Sequence, residues 1–236
     1  MGMSVNTNVG AMLALQNLNK SNKMLETTQL HITTGLKVNG PKDDAATYAI
    51  AQRMRGDIAG MGAVKTALSN GEATVNVAIT AGKAVADMLT EMKAKTVQAN
   101  QAGLDTASKD ALQNDFTSLR DQLTTIVQTA EFNGKNLITS AATSLTVLST
   151  VDGSSISVAA QKLDTTTLGI NASNISSGAS AALVAIDAAI NTVTSSLASL
   201  GSSSKRIDVQ AEFTVQLVDI LKEGVGNLVD ADLAEE

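Results

Sequence analysis

A series of mostly apolar positions runs through the first half of the chain in alternating steps of four and three. It comprises Ile50, Met54, Asp57, Met61, Val64, Leu68, Gly71, Val75, Ala78, Gly82, Val85, Leu89, Met92 and Thr96. That is the heptad of a helix with a narrow seam. It predicts one coiled-coil-like helix from about Asp44 to Asn100, roughly 80 Å long at 1.5 Å per residue. After a break at Gln101–Asp105, where Asp105 or Thr106 can cap, the spacing returns at Leu112, Phe116, Leu119, Leu123, Ile126 and Ala130. From Ala181 it returns again, through Ile186, Ile190, Val193, Leu197, Leu200, Ile207, Ala211, Val218, Leu221, Val225 and Leu228. Two rods of similar length are satisfied side by side and antiparallel, with the shorter helix completing the bundle.

Ahead of this series the apolar positions are sparse. Between Ser4 and Thr34, Leu15, Leu18, Leu25 and Ile32 form a stripe broken by Asn22 and Gln29. Such an amphipathic helix is marginal alone and needs a partner over its stripe. Asn39-Gly40-Pro41 then signals a chain reversal, because glycine tolerates positive φ and proline fixes its own φ while pushing its predecessor out of the helical region. Asp43 or Asp44 supplies the N-cap of the next helix. As an acid/base dyad the pair is unsuited, since neighbours at i and i+1 do not share a helix face. Between Thr139 and Ala179 the composition shifts to Ser, Thr, Gly and Asn. There Leu145–Val151 and Ile156–Val158 flank Asp152-Gly153 as a small β-hairpin, and Asn133-Gly134 makes another turn. The expected fold is mainly α, an elongated antiparallel bundle of long heptad-patterned helices with a small β-hairpin region in the middle of the chain. Gly56, Gly60, Gly62, Gly71 and Gly82 each cost the long helix about 1 kcal/mol against alanine. They are either tolerated or mark close approach and local flexibility.

Composition narrows the picture. The 236 residues include three Phe, one Tyr and no Trp, so the core must be aliphatic. A net charge of −6 argues against nucleic-acid binding, which needs clustered Lys and Arg. Mean hydropathy near zero and the lack of an 18-residue apolar run speak against a membrane span. No secretory signal is evident at the N-terminus. The absence of cysteine rules out disulfides and thiolate chemistry. The single histidine, His31, has no companion ligand on its helix. No catalytic, cofactor-binding or metal-binding residues are expected.

From Thr34 to Arg53 the chain reads Thr-Gly-Leu-Lys-Val-Asn-Gly-Pro-Lys-Asp-Asp-Ala-Ala-Thr-Tyr-Ala-Ile-Ala-Gln-Arg. This resembles the N-terminal signature of bacterial flagellins. Phe132-Asn133-Gly134, Ser4-Val5-Asn6-Thr7-Asn8 and Asp230-Ala231-Asp232 carry further family motifs, with Leu233 in place of the usual aromatic. The resemblance implies a structural protomer that polymerises into the flagellar filament for swimming motility, not an enzyme. It further implies an extracellular subunit, exported without a cleaved signal peptide. Its partners would be other flagellin subunits, with an export chaperone and cap or junction proteins, and neither nucleic acid nor membrane. A hook-filament junction adaptor with flagellin-like ends is the alternative.

On this reading residues 3–42 form a helix of the inner filament layer, and 43–138 with 181–236 the helical rod domain. Residues 139–180 form a short Ser/Thr-rich variable region. Candidate assembly and hinge residues are Asn39, Gly40, Pro41, Asp43, Asp44, Arg53 and Arg55. The helix seam is assigned to Ile50, Met54, Met61, Val64, Leu68, Leu89, Ile190, Leu197 and Leu221. Family members continue beyond the Asp-Ala-Asp motif into a terminal amphipathic helix, so a C-terminal truncation is expected, and Met1-Gly2 resembles an expression scar.

Overall fold

The computed structural model describes residues 8–236, so the motif at Ser4–Thr7 and the Met1-Gly2 pair lie outside the described residues. Four helices dominate: α1 Val9–Thr34, α2 Ala45–Ala99, α3 Thr106–Thr129 and α4 Ile175–Val229. Between α3 and α4 lie two antiparallel hairpins, β1 Glu131–Phe132 with β2 Lys135–Asn136, and β3 Leu145–Leu148 with β4 Ser155–Val158. The chain divides into two units. The first holds the described residues up to Gly60 together with Gln216–Glu236, and the second holds Met61–Val215.

Local chemistry sets the helix ends. Asn8 accepts N–H bonds from Gly10 and Ala11 at 3.0 and 3.1 Å, which caps α1. Gly35, at φ 70°, closes α1 in the left-handed conformation and donates its N–H to the His31 carbonyl at 2.8 Å. Asp105 occupies the N-cap of α3. The start of α4 differs from expectation. It begins at Ile175, six residues before Ala181, with a kink where Gly178 leaves helical geometry. The Ser-Ser-Gly composition of this turn reads as loop, yet Ile175 is buried and its N–H donates to Gln113 Oε1 at 2.6 Å. Asn174 Oδ1 accepts the Ser177 N–H, which caps the turn.

In the second unit α2 and α4 run antiparallel, as the pairs Asn100–Ser180 (3.1 Å) and Lys93–Asp187 (2.7 Å) and the approach of Gly82 to Leu197 show. α3 folds back along α2, with Lys95 and Asp115 at 2.6 Å near its start and Ile126 and Ala130 beside Val77 and Ala81 near its end. Val64, Leu68, Val75, Leu89 and Met92 of α2 meet Phe116 and Leu123 of α3 and Ile186, Val193, Leu200 and Ile207 of α4 in one apolar core. The Ser/Thr-rich segment joins that core. Val147, Val158, Leu163 and Ile170 are buried in it, and the Gln161 and Leu163 N–H groups donate to the Leu137 and Ile138 carbonyls at 2.8 Å. The β3–β4 hairpin is shorter than predicted, because Val151 lies in its turn. At Asn133-Gly134 both residues have positive φ, 50° and 73°, as the two-residue turn between β1 and β2 requires.

Two expectations need correction. Ile50 does not lie on a buried seam. It is 53% exposed, and its neighbour Ala51 is fully buried instead. This end of α2 packs in a separate small core with Val38, Val225 and Val229, and that core takes Ala51 in place of Ile50. The claim that no apolar run reaches membrane-span length also fails. α4 is long and apolar enough, by length and composition, to cross a membrane. Its Ala, Val and Ile residues build the core described above, where Ala182, Ile186, Ala189 and Val193 are buried. In α2, a Cβ at Gly71 would lie 2.5 Å from Val147 Cγ2, and one at Gly82 would lie 2.9 Å from Leu197 Cδ2. Gly56 and Gly62 have open space around them. Close approach therefore explains two of these helix glycines.

Candidate assembly surface

The turn ahead of α2 is organised by its two adjacent aspartates, which do different work. Asp43 Oδ2 accepts the Asn39 and Gly40 N–H bonds, each at 3.0 Å, and the Asp43 N–H donates back to the Gly40 carbonyl at 3.1 Å. Asp44 is the cap. Its Oδ1 accepts the Ala46 and Thr47 N–H bonds at 2.9 and 3.1 Å, and its Oδ2 accepts the Thr47 hydroxyl at 2.6 Å. The Thr47 hydroxyl and then the Thr47 amide hold the Asp44 carboxyl below its ordinary value against an opposing desolvation, with a lesser contribution from the Ala46 amide. Gly40 does not adopt the positive φ expected of it. The reversal is made by the Asp43 carboxylate tying two successive amides, with Pro41 inside the loop.

The same turn is tied to the far end of the chain. Leu36 and Asp230 form an antiparallel bridge. The Lys37 and Val38 N–H groups donate to the Val229 carbonyl at 2.7 and 3.2 Å, and the Ala231 N–H donates to the Gly35 carbonyl at 2.9 Å. Beneath this pairing Val38, Ala51, Val225 and Val229 form a small apolar core, with Leu36, Tyr48, Met54 and Ile58 packed on it. A Cβ at Gly224 would lie 3.0 Å from Met54 Cε, so that glycine admits the methionine.

Of the assigned assembly residues, Asn39, Pro41, Asp43, Asp44, Arg53 and Arg55 are exposed and Gly40 is half-buried. The turn brings Asn39, Gly40 and Asp43 together, while Arg53 and Arg55 stand on α2 away from that network. Of the seam residues, Val64, Leu68 and Leu89 are buried, and Met54, Met61, Ile190, Leu197 and Leu221 are half-buried. The Leu36–Asp230 bridge has no counterpart in the sequence reading. Main-chain pairing between residues so far apart leaves no local periodic signal.

α1 has no buried residue. Val9, Met12, Leu13, Leu15, Leu18, Met24, Leu25 and Ile32 are all more than half exposed. At its C-terminal end His31 Nδ1 lies 2.6 Å from Glu236 Oε1. Chemically, the first unit offers a carboxylate-tied turn, two exposed guanidinium groups and a long uncovered apolar helix. That combination suits protein–protein contact.

Residues 5–143 match the family model of the bacterial flagellin N-terminal helical region, and residues 183–236 match that of the bacterial flagellin C-terminal helical region. Flagellin FljK of Caulobacter vibrioides is 44% identical over 236 residues, which cover 99% of this chain and 86% of that protein. Flagellin C of Rhizobium meliloti is 33% identical over 289 residues, covering 99% and 89%. Among solved structures, Bacillus cereus flagellin superimposes with a TM-score of 0.56 at 22% identity, over 61% of this chain and 86% of that one. A putative flagellar hook-associated protein from Vibrio parahaemolyticus superimposes with a TM-score of 0.65 at 14% identity, over 80% and 100%. At these identities the two structural likenesses show the fold alone.

Proposed function

The chain belongs to the bacterial flagellin family, and from that premise we propose how its surfaces serve a flagellar filament. It is a structural subunit and not an enzyme. It assembles with other flagellin subunits, and its place is the filament outside the cell. Within that role α1 is the segment that other chains cover, and the turn from Asn39 to Asp44, with Arg53 and Arg55, sets the angle at which α1 leaves α2. Residues 3–42 act as the inner layer, 43–138 with 181–236 as the rod, and 139–180 as the short variable region. An export chaperone that masks the apolar stripe before assembly, cap and junction proteins at the filament ends, and export without a cleaved signal peptide complete the reading.

The observation that carries this proposal is the uncovered apolar surface of α1. At about 25 cal/mol per Å², covering it supplies a driving force for assembly that the free subunit leaves unused. The junction-adaptor alternative gains nothing from the hook-associated likeness, which is one of fold. The test is assembly with Leu15 and Leu18 both changed to serine. Subunits able to melt normally but unable to elongate filaments are expected, whereas wild-type elongation would overturn the role given to α1.

A further inference from the structure

Two features of the second unit remain unused by the fold itself. One is a groove of ≈ 490 Å³ between α2 and α3, floored by Val77, Ala81, Ala84, Ile126 and Ala130. Its small side chains leave a depression where the helices could have met more fully. The other is a ridge on α4. Val209 and Phe213, one turn apart, are each 54% exposed. In a chain with only three phenylalanines this is a costly residue to leave in water, since Phe116 is fully buried and Phe132 is 36% exposed. Buried aromatic anchors, by contrast, dominate protein interfaces.

We propose that Val209 and Phe213 of one subunit insert into the α2–α3 groove of a second copy, making a contact between subunits of the filament. The proposal rests on the filament-subunit reading above. Charge favours a second copy as the occupant. Within about a turn of the groove, α2 and the end of α3 carry Glu72, Asp87 and Glu131 against Lys83 alone. On α4 the exposed Lys205 and Arg206 both lie about one turn before Val209 and sit nearer the ridge's centre line than Asp208 and Glu212. Ridge and groove are different surfaces, and the contact is proposed as heterologous, each copy giving its ridge to one neighbour and its groove to another. A heterologous contact propagates from copy to copy rather than closing as a dimer, which a filament requires.

The absence of native cysteine makes the test clean. Subunits carrying Ala84→Cys and Phe213→Cys together are assembled into filaments and treated with an added azo thiol oxidant, which takes up the two electrons and two protons released as two thiols form one disulfide between neighbours. A ladder of covalent oligomers beyond the dimer is expected, with neither single variant giving it. Filaments that assemble with both cysteines but give no ladder would overturn the contact and leave the subunit reading standing. Failure of the unchanged chain to form filaments at all would instead remove that reading. An independent arm uses Phe213→Arg, a change at an exposed position that should leave the monomer's melting unchanged. It should raise the subunit concentration needed for assembly roughly tenfold or more, as loss of an interface anchor does, and wild-type assembly by this variant would also refute the contact. Should the double-cysteine variant fail to assemble, this arm decides.

Discussion

Asp43 and Asp44 show how much one position matters in a turn. Both are aspartates with exposed side chains, yet one closes the loop on itself and the other starts a helix. Asp44→Ala should lower stability and Asp44→Asn should retain most of it, because asparagine caps as well as aspartate. The Asp44 carboxyl titrates lower when folded than when unfolded. Its contribution is therefore present above the ordinary aspartate range and is lost as pH falls below about 4 through the folded value. Thermal melts of wild type and Asp44→Asn should converge on acidification. Glycines in α2 divide in the same position-dependent way. Gly62→Ala should stabilise by up to about 1 kcal/mol from helix propensity. Gly71→Ala should destabilise, because the stiff Val147 side chain must move and overpacking of this kind costs about 1–3 kcal/mol. Urea midpoints for the two variants would move in opposite directions. The spacing marked both positions as helical glycines, but only the folded neighbour distinguishes them.

The helices themselves were largely legible, since apolar periodicity is a local property and α2 and α3 begin and end within a residue or two of where the spacing places them. Register within α2 was less so, as Ile50 and Ala51 show, because a small side chain such as alanine carries a weak hydrophobic signal even where it is fully buried. Buried strands in the Ser/Thr-rich segment were only partly legible. Their few apolar residues acquire meaning by joining a core built mostly by distant helices. α1 lies at the opposite extreme: its pattern is readable and its partner is absent from the chain's own core. Amide exchange along Val9–Ile32 should show little protection in the isolated subunit and a large gain in filaments. Phe116→Ala in α3, by contrast, should cost about 3–5 kcal/mol whether or not filaments form, as measured by denaturant unfolding of the monomer.

Across the whole molecule, the two units differ in how much apolar surface secures each. Among the described residues, thirty buried ones make the core of the second unit and four make that of the first. Local opening follows buried contact density. Amides in α2 before Gly60 should accordingly exchange by a lower-energy opening than those beyond Met61, a step visible in native-state hydrogen exchange even though the helix is continuous. Uniform protection along α2 would contradict this. The larger core also explains why function was read from motifs and not from a cavity. The second unit spends its apolar residues on packing, and the surfaces available to other chains are defined by what remains.

The bridge between Leu36 and Asp230 also sets a timetable. A ribosome makes residues 36–38 long before residues 229–231, and at about 5–20 residues per second the interval is roughly 10–40 s. Throughout that interval Val38 and Ala51 lack the valines that will cover them, and the Lys37 and Val38 amides have no carbonyl to meet. The first unit is therefore the one whose folding waits for residues 229–231 to be translated.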